Sequence, residues 1–334
     1  MTSTSRNTSR STSRNASRHG AKRPARQTHQ SVAVRRKLRR EVPSTAAVLA
    51  DERDFAAMRR YRTFPFDDHA GYLQQMETVL RTLASQGVLT TLSLFDPVAY
   101  EEYCADLGLD PDHPGSRTRY TAELACTGAT LPYAGEPLAE LLPLLVKEAD
   151  RQATWDQASA LLARAGSCPD CGEDLAHAAF ARATQALRQL LTALGDGTHH
   201  LVCSIPAGEQ SLLAVLHATA GDGDRPQLFE SETLVFCTVL AVGFALRTPG
   251  GIVSRTTTGA TDETPATAET RGTAHDTVRG WSLRDSWLRP LTAAEVFTAY
   301  CTDADTGEPI PPEHGVDYAP GLTLTPPPAG HRHR

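Results

Sequence analysis

In "DHAGYLQQMETVLRTLASQG" apolar residues recur at steps of three and four, at Tyr72, Leu73, Met76, Val79, Leu80 and Leu83. That spacing predicts one face of a helix, with Gly87 as its stop. "VLTTLSLF", Val88 to Phe95, reads as a strand. "DPVAYEEYCADLG" then opens with Asp96 as N-cap and Pro97 at the first helical position. Its apolar stripe is Tyr100, Tyr103, Cys104 and Leu107, and Gly108 ends it. A third helix over Ser116 to Thr127 leads into a short extended piece, "ATLPYAG".

From Glu136 to Ala165 the pattern is strongly helical, carried by Leu138, Leu141, Leu142, Leu145, Leu161 and Leu162, with Pro143 expected to kink or split the first turns. A second long helix over Asp174 to Leu194 places Phe180, Leu187, Leu190, Leu191 and Leu194 on one side. Together they predict an antiparallel helical hairpin bent at "GSCPDCGE". Beyond it "HHLVCSIP" and "SLLAVLHATA" alternate as a β-hairpin around "AGEQ". A helix apolar on all sides follows, Ser231 to Leu246, then a strand over Gly251 to Thr258 and a Thr/Ala/Gly-rich loop over 259–277. "VRGWSLRDSWLRPL" reads as a hairpin turning at Asp285-Ser286. "TAAEVFTAYC" starts with a capping box, Thr292 and Glu295.

The fold class expected is α/β to α+β. Residues 1–44 form a disordered basic arm and residues 45–135 an α/β unit. The helical hairpin with its CxxC loop spans 136–195. Residues 196–302 form an antiparallel sheet with helices on one face, and 303–334 a Pro-rich tail unable to fold alone.

Charge changes the picture at one end. Of 33 Lys and Arg, 12 lie in residues 1–40, which hold no Asp or Glu; the other 294 residues carry 21 basic and 39 acidic groups. Five of the arm's charges gather at Arg35, Arg36, Lys37, Arg39 and Arg40. An acidic body with a basic arm fits electrostatic attachment to nucleic acid or another polyanion through residues 1–40. A solvated tail fits the same composition, which also resembles an organellar transit peptide. The longest apolar run, Leu234 to Leu246, is 13 residues, short of the roughly 20 that span a bilayer. No apolar leader opens the chain. Seven cysteines, an odd and sparse set, argue for a reducing cytoplasm over a disulfide framework. Ala, Arg, Gly and Pro richness fits a GC-rich bacterial genome.

The chemically suggestive stretch is "GSCPDCGED". Its C-P-x-C-G turn is a shape that zinc uses, and Cys168 and Cys171 are candidate metal ligands with His177 as a third; Asp170 or Glu173 offers an oxygen. A shared site across a dimer, a reversible disulfide, and two unliganded thiols are the alternatives. Pairing the turn with His200 and Cys203 is rejected: the intervening helix of about 21 residues is roughly 30 Å long, the returning strand leaves His200 about 25–30 Å and Cys203 about 15 Å from the turn, and the two point to opposite faces of that strand. His199, His200 and His217 form a second cluster, in which strand alternation lets only one of the first two meet His217. Asp96 follows a strand, where α/β sheets place working residues, but capping accounts for it. Asp67, Asp68 and His69 read as helix-capping, and Asp303, Asp305 and Glu308 lack the remaining positions of a calcium loop.

The resulting expectation is a non-enzymatic, cytoplasmic macromolecule-binding or adaptor module with a structural zinc knuckle. The alternative is a thiol- or metal-based sensor or enzyme using Cys168 and Cys171.

Overall fold

A computed structural model describes residues 44–208, 210–221, 226–259, 275–303 and 306–327. The basic arm, most of the Thr/Ala/Gly-rich loop, Asp305 and the final residues from 328 lie outside the described residues. Within them the chain forms eight helices and ten strands, a mixed α/β architecture.

The N-terminal unit opens with β1, Ser44–Val48, so Ser44 belongs to the body and not to the arm. Helices α1 (Glu52–Met58) and α2 (His69–Ser85) cross over to β2 (Thr90–Leu94), which pairs parallel with β1. Helices α3 (Pro97–Asp106) and α4 (Pro114–Thr127) follow, and β3 (Leu131–Tyr133) closes the sheet antiparallel to β2. The core is aromatic: Phe55, Tyr61, Tyr72, Phe95, Tyr100 and Tyr120 pack with Leu80, Leu92 and Val48. Of the α2 face, Tyr72 and Leu80 are buried, whereas Val79 is exposed. Gly87 and Gly108 end α2 and α3 with φ of 68° and 62°, the left-handed conformation that glycine adopts without strain.

Helix α5, Leu138–Ala163, is a single 26-residue rod, about 39 Å at 1.5 Å per residue. Pro143 sits inside it without splitting it. Pro143 and Leu144 face solvent, so the Ala139 carbonyl left without an N–H partner is open to water. The rod serves two cores. Leu138, Leu141 and Leu145 seal the N-terminal one, and Ala158 and Leu162 belong to the second.

Helix α6, Leu175–Leu194, returns after the cysteine turn. Both long helices pack most closely on α7, Glu230–Leu246, whose Val235 to Phe244 are all buried. That burial explains why α7 is apolar on every side. Beneath α7 lies the larger sheet, ordered β10-β8-β7-β4-β5-β6 with β9 also on β8. Its strands are β4 (Gly197–Ala207), β5 (Gln210–Ala220), β6 (Gln227–Leu228), β7 (Gly250–Thr258), β8 (His275–Arg284), β9 (Trp287–Pro290) and β10 (Val316–Tyr318). Residues 275–277, expected in the Thr/Ala/Gly-rich loop, belong instead to β8.

Register assigns the two faces. Leu201, Cys203 and Ile205 of β4 lie opposite Leu216, Ala214 and Leu212 of β5, all buried against the long helices. Their neighbours His200, Val202 and Ser204 point the other way. Among the described helices only the short α8, Ala293–Tyr300, packs on that second face, at its β8–β10 edge, where Val296 packs over Gly280. Asp285 and Ser286 turn β8 into β9 with φ of 53° and 56°, the positive values a two-residue hairpin requires.

The Pro-rich tail departs from expectation. It does not fold alone, but it docks: β10 pairs parallel with β8. Trp281 Nε1 donates to the Leu322 carbonyl at 2.8 Å and Trp287 Nε1 to the Leu324 carbonyl at 3.3 Å. Gly321 is so close to β8 that a Cβ there would lie 2.3 Å from the Gly280 oxygen.

Candidate functional site

The cysteine turn is tightly built. A bridge pairs Ser167 with Asp174, and the Leu175 N–H donates to the Gly166 carbonyl at 3.0 Å, closing the loop at its base. Inside, Cys168 N–H donates to the Glu173 carbonyl and Gly172 N–H to the Cys168 carbonyl, each at 2.8 Å. Gly172 takes a φ of 75°, which frees the chain to fold back over the sulfurs. Cys168 is buried at 1% exposure and Cys171 is exposed. The Glu173 N–H points at the Cys171 sulfur and pulls its pKa down, but burial, the hydrogen bond and charge of Cys168, and the Glu173 carboxylate together push it above the ordinary value.

The third sequence candidate, His177, sits exposed in the first turn of α6, where its N–H donates to the capping Asp174 carboxylate at 3.2 Å. Among the described residues no three His, Cys, Asp or Glu side chains come together as a metal-holding group. The turn therefore contributes two thiols, and any further ligands need a rearranged His177 or another molecule. The imidazoles near position 200 are distant. His199 Nε2 reaches the Gly195 carbonyl at the C-terminal end of α6, a whole 20-residue helix from the turn. Cys203 is fully buried beneath α7, and burial raises its thiol pKa strongly.

The second polar constellation lies on the open face of the larger sheet. Register sets His217, His200 and Arg255 side by side on β5, β4 and β7. The two imidazoles stack at 4.7 Å between centroids, as the alternation of the strands requires, while His199 faces the core. Glu232, at the start of α7, accepts from the His217 backbone N–H at 2.9 Å and lies 3.0 Å from its Nδ1. Lys147 of α5 approaches the same carboxylate at 3.7 Å. Burial lowers the His200 pKa, reinforced by the neighbouring His217 and Lys147.

Arg255 extends the row. Its guanidinium pairs with Asp276 on β8 and, at 2.8 Å, with Glu313 of the tail, which also accepts from the Tyr300 hydroxyl at 3.0 Å. Thr257 donates to Asp276 at 2.6 Å, and that bond and Arg255 hold its carboxyl below the ordinary range. Sequence reasoning found the histidines and missed these partners. Arg255 and Thr257 occupy alternate outward positions of "GIVSRTTT", which is the signal available; nothing local brings Glu313 to them.

The remaining candidates are structural. Asp96 Oδ1 accepts from Val98 and Ala99 N–H at 2.7 and 3.2 Å, a complete N-cap. Asp68 caps α2 through Gly71 N–H, and His69 Nε2 donates to the Leu49 carbonyl. Asp303 accepts from the backbone and hydroxyl of Thr306 in a local turn. Cys104, Cys237 and Cys301 are buried, and Cys126 is exposed.

Residues 33–136 match the family described as a domain of unknown function (DUF8829). No curated protein matches the chain, and no solved structure does. The match covers under a third of the chain and takes in both the N-terminal α/β unit and the basic run Arg35 to Arg40. Among the described residues no helix is long and apolar enough to cross a membrane.

Proposed function

We propose that the protein is a cytoplasmic, non-enzymatic macromolecule-binding module in which zinc clamps the Cys168–Cys171 turn and the basic segment attaches to a polyanion. The observation that carries the zinc reading is the internal architecture of the turn. Two sulfurs lie in hydrogen-bond contact, a backbone N–H is aimed at one of them, and a left-handed glycine closes the loop. This is how a short turn presents two thiolates to one cation. Zinc supplies the positive charge that ionises thiols otherwise held protonated. The remaining positions fall to His177 with one further group, or to ligands from a second chain.

A raised Cys171 pKa weighs against the sensor reading, since a fast-reacting cysteine needs a lowered one. The polyanion reading is supported by the concentration of charge before β1 and by a family match that begins at residue 33 and so includes that charge in one unit with residues 44–136. Seven thiols with no disulfide among them favour a reducing compartment.

Elemental analysis of the full chain tests the first half. About one zinc per chain, or one per dimer, is expected, and Cys168→Ala abolishes it; a metal-free protein whose thiols oxidise reversibly overturns the zinc reading. For the second half, deleting residues 1–40 abolishes salt-sensitive retention on DNA or RNA. Unchanged retention removes the tether.

A further inference from the structure

The larger sheet is left open along the outer edge of β5. The His217 N–H points away from β4 and is taken by Glu232 at 2.9 Å, and just beyond it Ala218 and Thr219 pair with β6. Strand alternation turns the N–H and C=O groups of Ser211, Leu213 and Val215 the same way. Among the described residues none of these backbone groups has a partner. Their side chains lie on the open face, while Leu212, Ala214 and Leu216 between them are buried. The chain thus closes its edge at 217–219 and leaves 211–215 as bare strand.

Proteins blunt such edges with charge, proline or a bulge. Ser211 to Leu216 holds no charged residue and no proline, and its register with β4 runs from Pro206 to Leu201 without a break. Leu213, at the middle of the open run, is 53% exposed.

We infer that this edge pairs antiparallel with the same edge of a second copy of the chain, about a twofold axis at Leu213. The free donors and acceptors are symmetric about that residue. Leu213 meets the partner's Leu213 and Ser211 meets the partner's Val215, so each N–H finds a carbonyl and each carbonyl an N–H. The two exposed leucines become one apolar cross-strand contact. A copy also arrives as a hairpin. In this register its β4–β5 turn, at Ala207 and Gly208, comes to the end of β6, where Phe229 is 68% exposed. A single extended peptide brings no such turn, and the uncharged edge gives an acidic or basic peptide no handle. The paired stretch is short, so the dimer dissociates on dilution. It needs no zinc at the cysteine turn.

Sedimentation equilibrium of the full chain from micromolar to submillimolar concentration tests it, with chelator present to remove any dimer bridged by zinc. A concentration-dependent monomer–dimer equilibrium is expected, unchanged in Cys168→Ala. Leu213→Lys sets like charges across the axis, and Val215→Pro removes a donor that the monomer does not use; each should weaken association at least tenfold. Mixing Leu213→Lys with Leu213→Glu should restore it, because opposite charges then meet at the axis. Leu107→Lys, equally exposed on the N-terminal unit, should leave it unchanged. A chain that stays monomeric throughout, a dimer indifferent to both β5 variants, or Lys and Glu forms that fail to associate when mixed overturns the proposal.

Discussion

His199 Nε2 lies 3.0 Å from the carbonyl oxygen of Gly195, and this bond fixes the state of a fully buried imidazole. A carbonyl only accepts, so Nε2 carries the proton and Nδ1 is left to accept from Thr256 Oγ1, also at 3.0 Å. The ring is satisfied as a neutral group. It ties the end of α6 to the sheet and is not available as a metal ligand.

Protonating that ring is therefore costly. Burial lowers the His199 pKa from its ordinary 6.5, outweighing the Gly195 bond and the charge of Asp196. The unfolded chain takes up a proton first as pH falls through about 6.5. Stability is full above that value and is lost as pH falls toward the folded pKa. His200 shifts in the same direction. Urea unfolding at pH 7.5 and 5.5 should show lower stability at 5.5, and His199→Gln should flatten the difference. An unchanged slope in the variant would refute this account.

The docked tail makes a second prediction. Deleting residues 315–334 removes β10 and uncovers Trp281 and Trp287, which are 0% and 5% exposed. Two of the three tryptophans then meet water, so fluorescence should shift to the red and the melting temperature should fall. Trp281→Phe leaves the Leu322 carbonyl without its donor, at a cost of about 1–3 kcal/mol. A truncated chain with native emission and stability would show the tail to be ornamental.

Pro143 lies inside α5 with no N–H to give. Pro143→Ala restores the bond to Ala139 and removes the ring from a helix interior. A gain on the order of 1 kcal/mol is expected, less than the full ~3 kcal/mol propensity difference because the rod has already adapted. Denaturant midpoints measure it; a loss of stability would mean that Pro143 is needed where it stands.

Asp96 separates capping from chemistry. Asp96→Ala should cost about 1 kcal/mol, and Asp96→Asn, which still accepts from Val98 and Ala99, should cost little. If Asn costs as much as Ala, the charge of Asp96 has a role beyond the cap.

Where the fold rests on local rules, it was legible. The apolar run of α7, the Asp285-Ser286 hairpin, the Thr292–Glu295 box and the Asp96-Pro97 start all follow from nearest neighbours. The exceptions depend on distant partners. β1 begins where a basic, polar stretch ends, and Ser44 to Val48 become a strand only because β2 lies beside them. The tail has no pattern of its own and is held by distant partners, among them two indole donors, one strand edge, Arg255 on Glu313 and Gln189 on Thr325. At the cysteine turn the sequence revealed the thiols and their spacing, and it correctly excluded the histidines at the other end of α6.

Helix α5 bears on how this protein can be cut. The family match stops at residue 136, yet Leu138, Leu141 and Leu145 close the aromatic core of the matched unit. An expression fragment ending at 136 would leave that core without its lid and invite aggregation. One ending just past Leu145 keeps the lid, but cuts the rod in half and strips Ala158 and Leu162 from the other core. The natural seam between the two halves thus runs through the middle of a helix, and neither half can be excised cleanly.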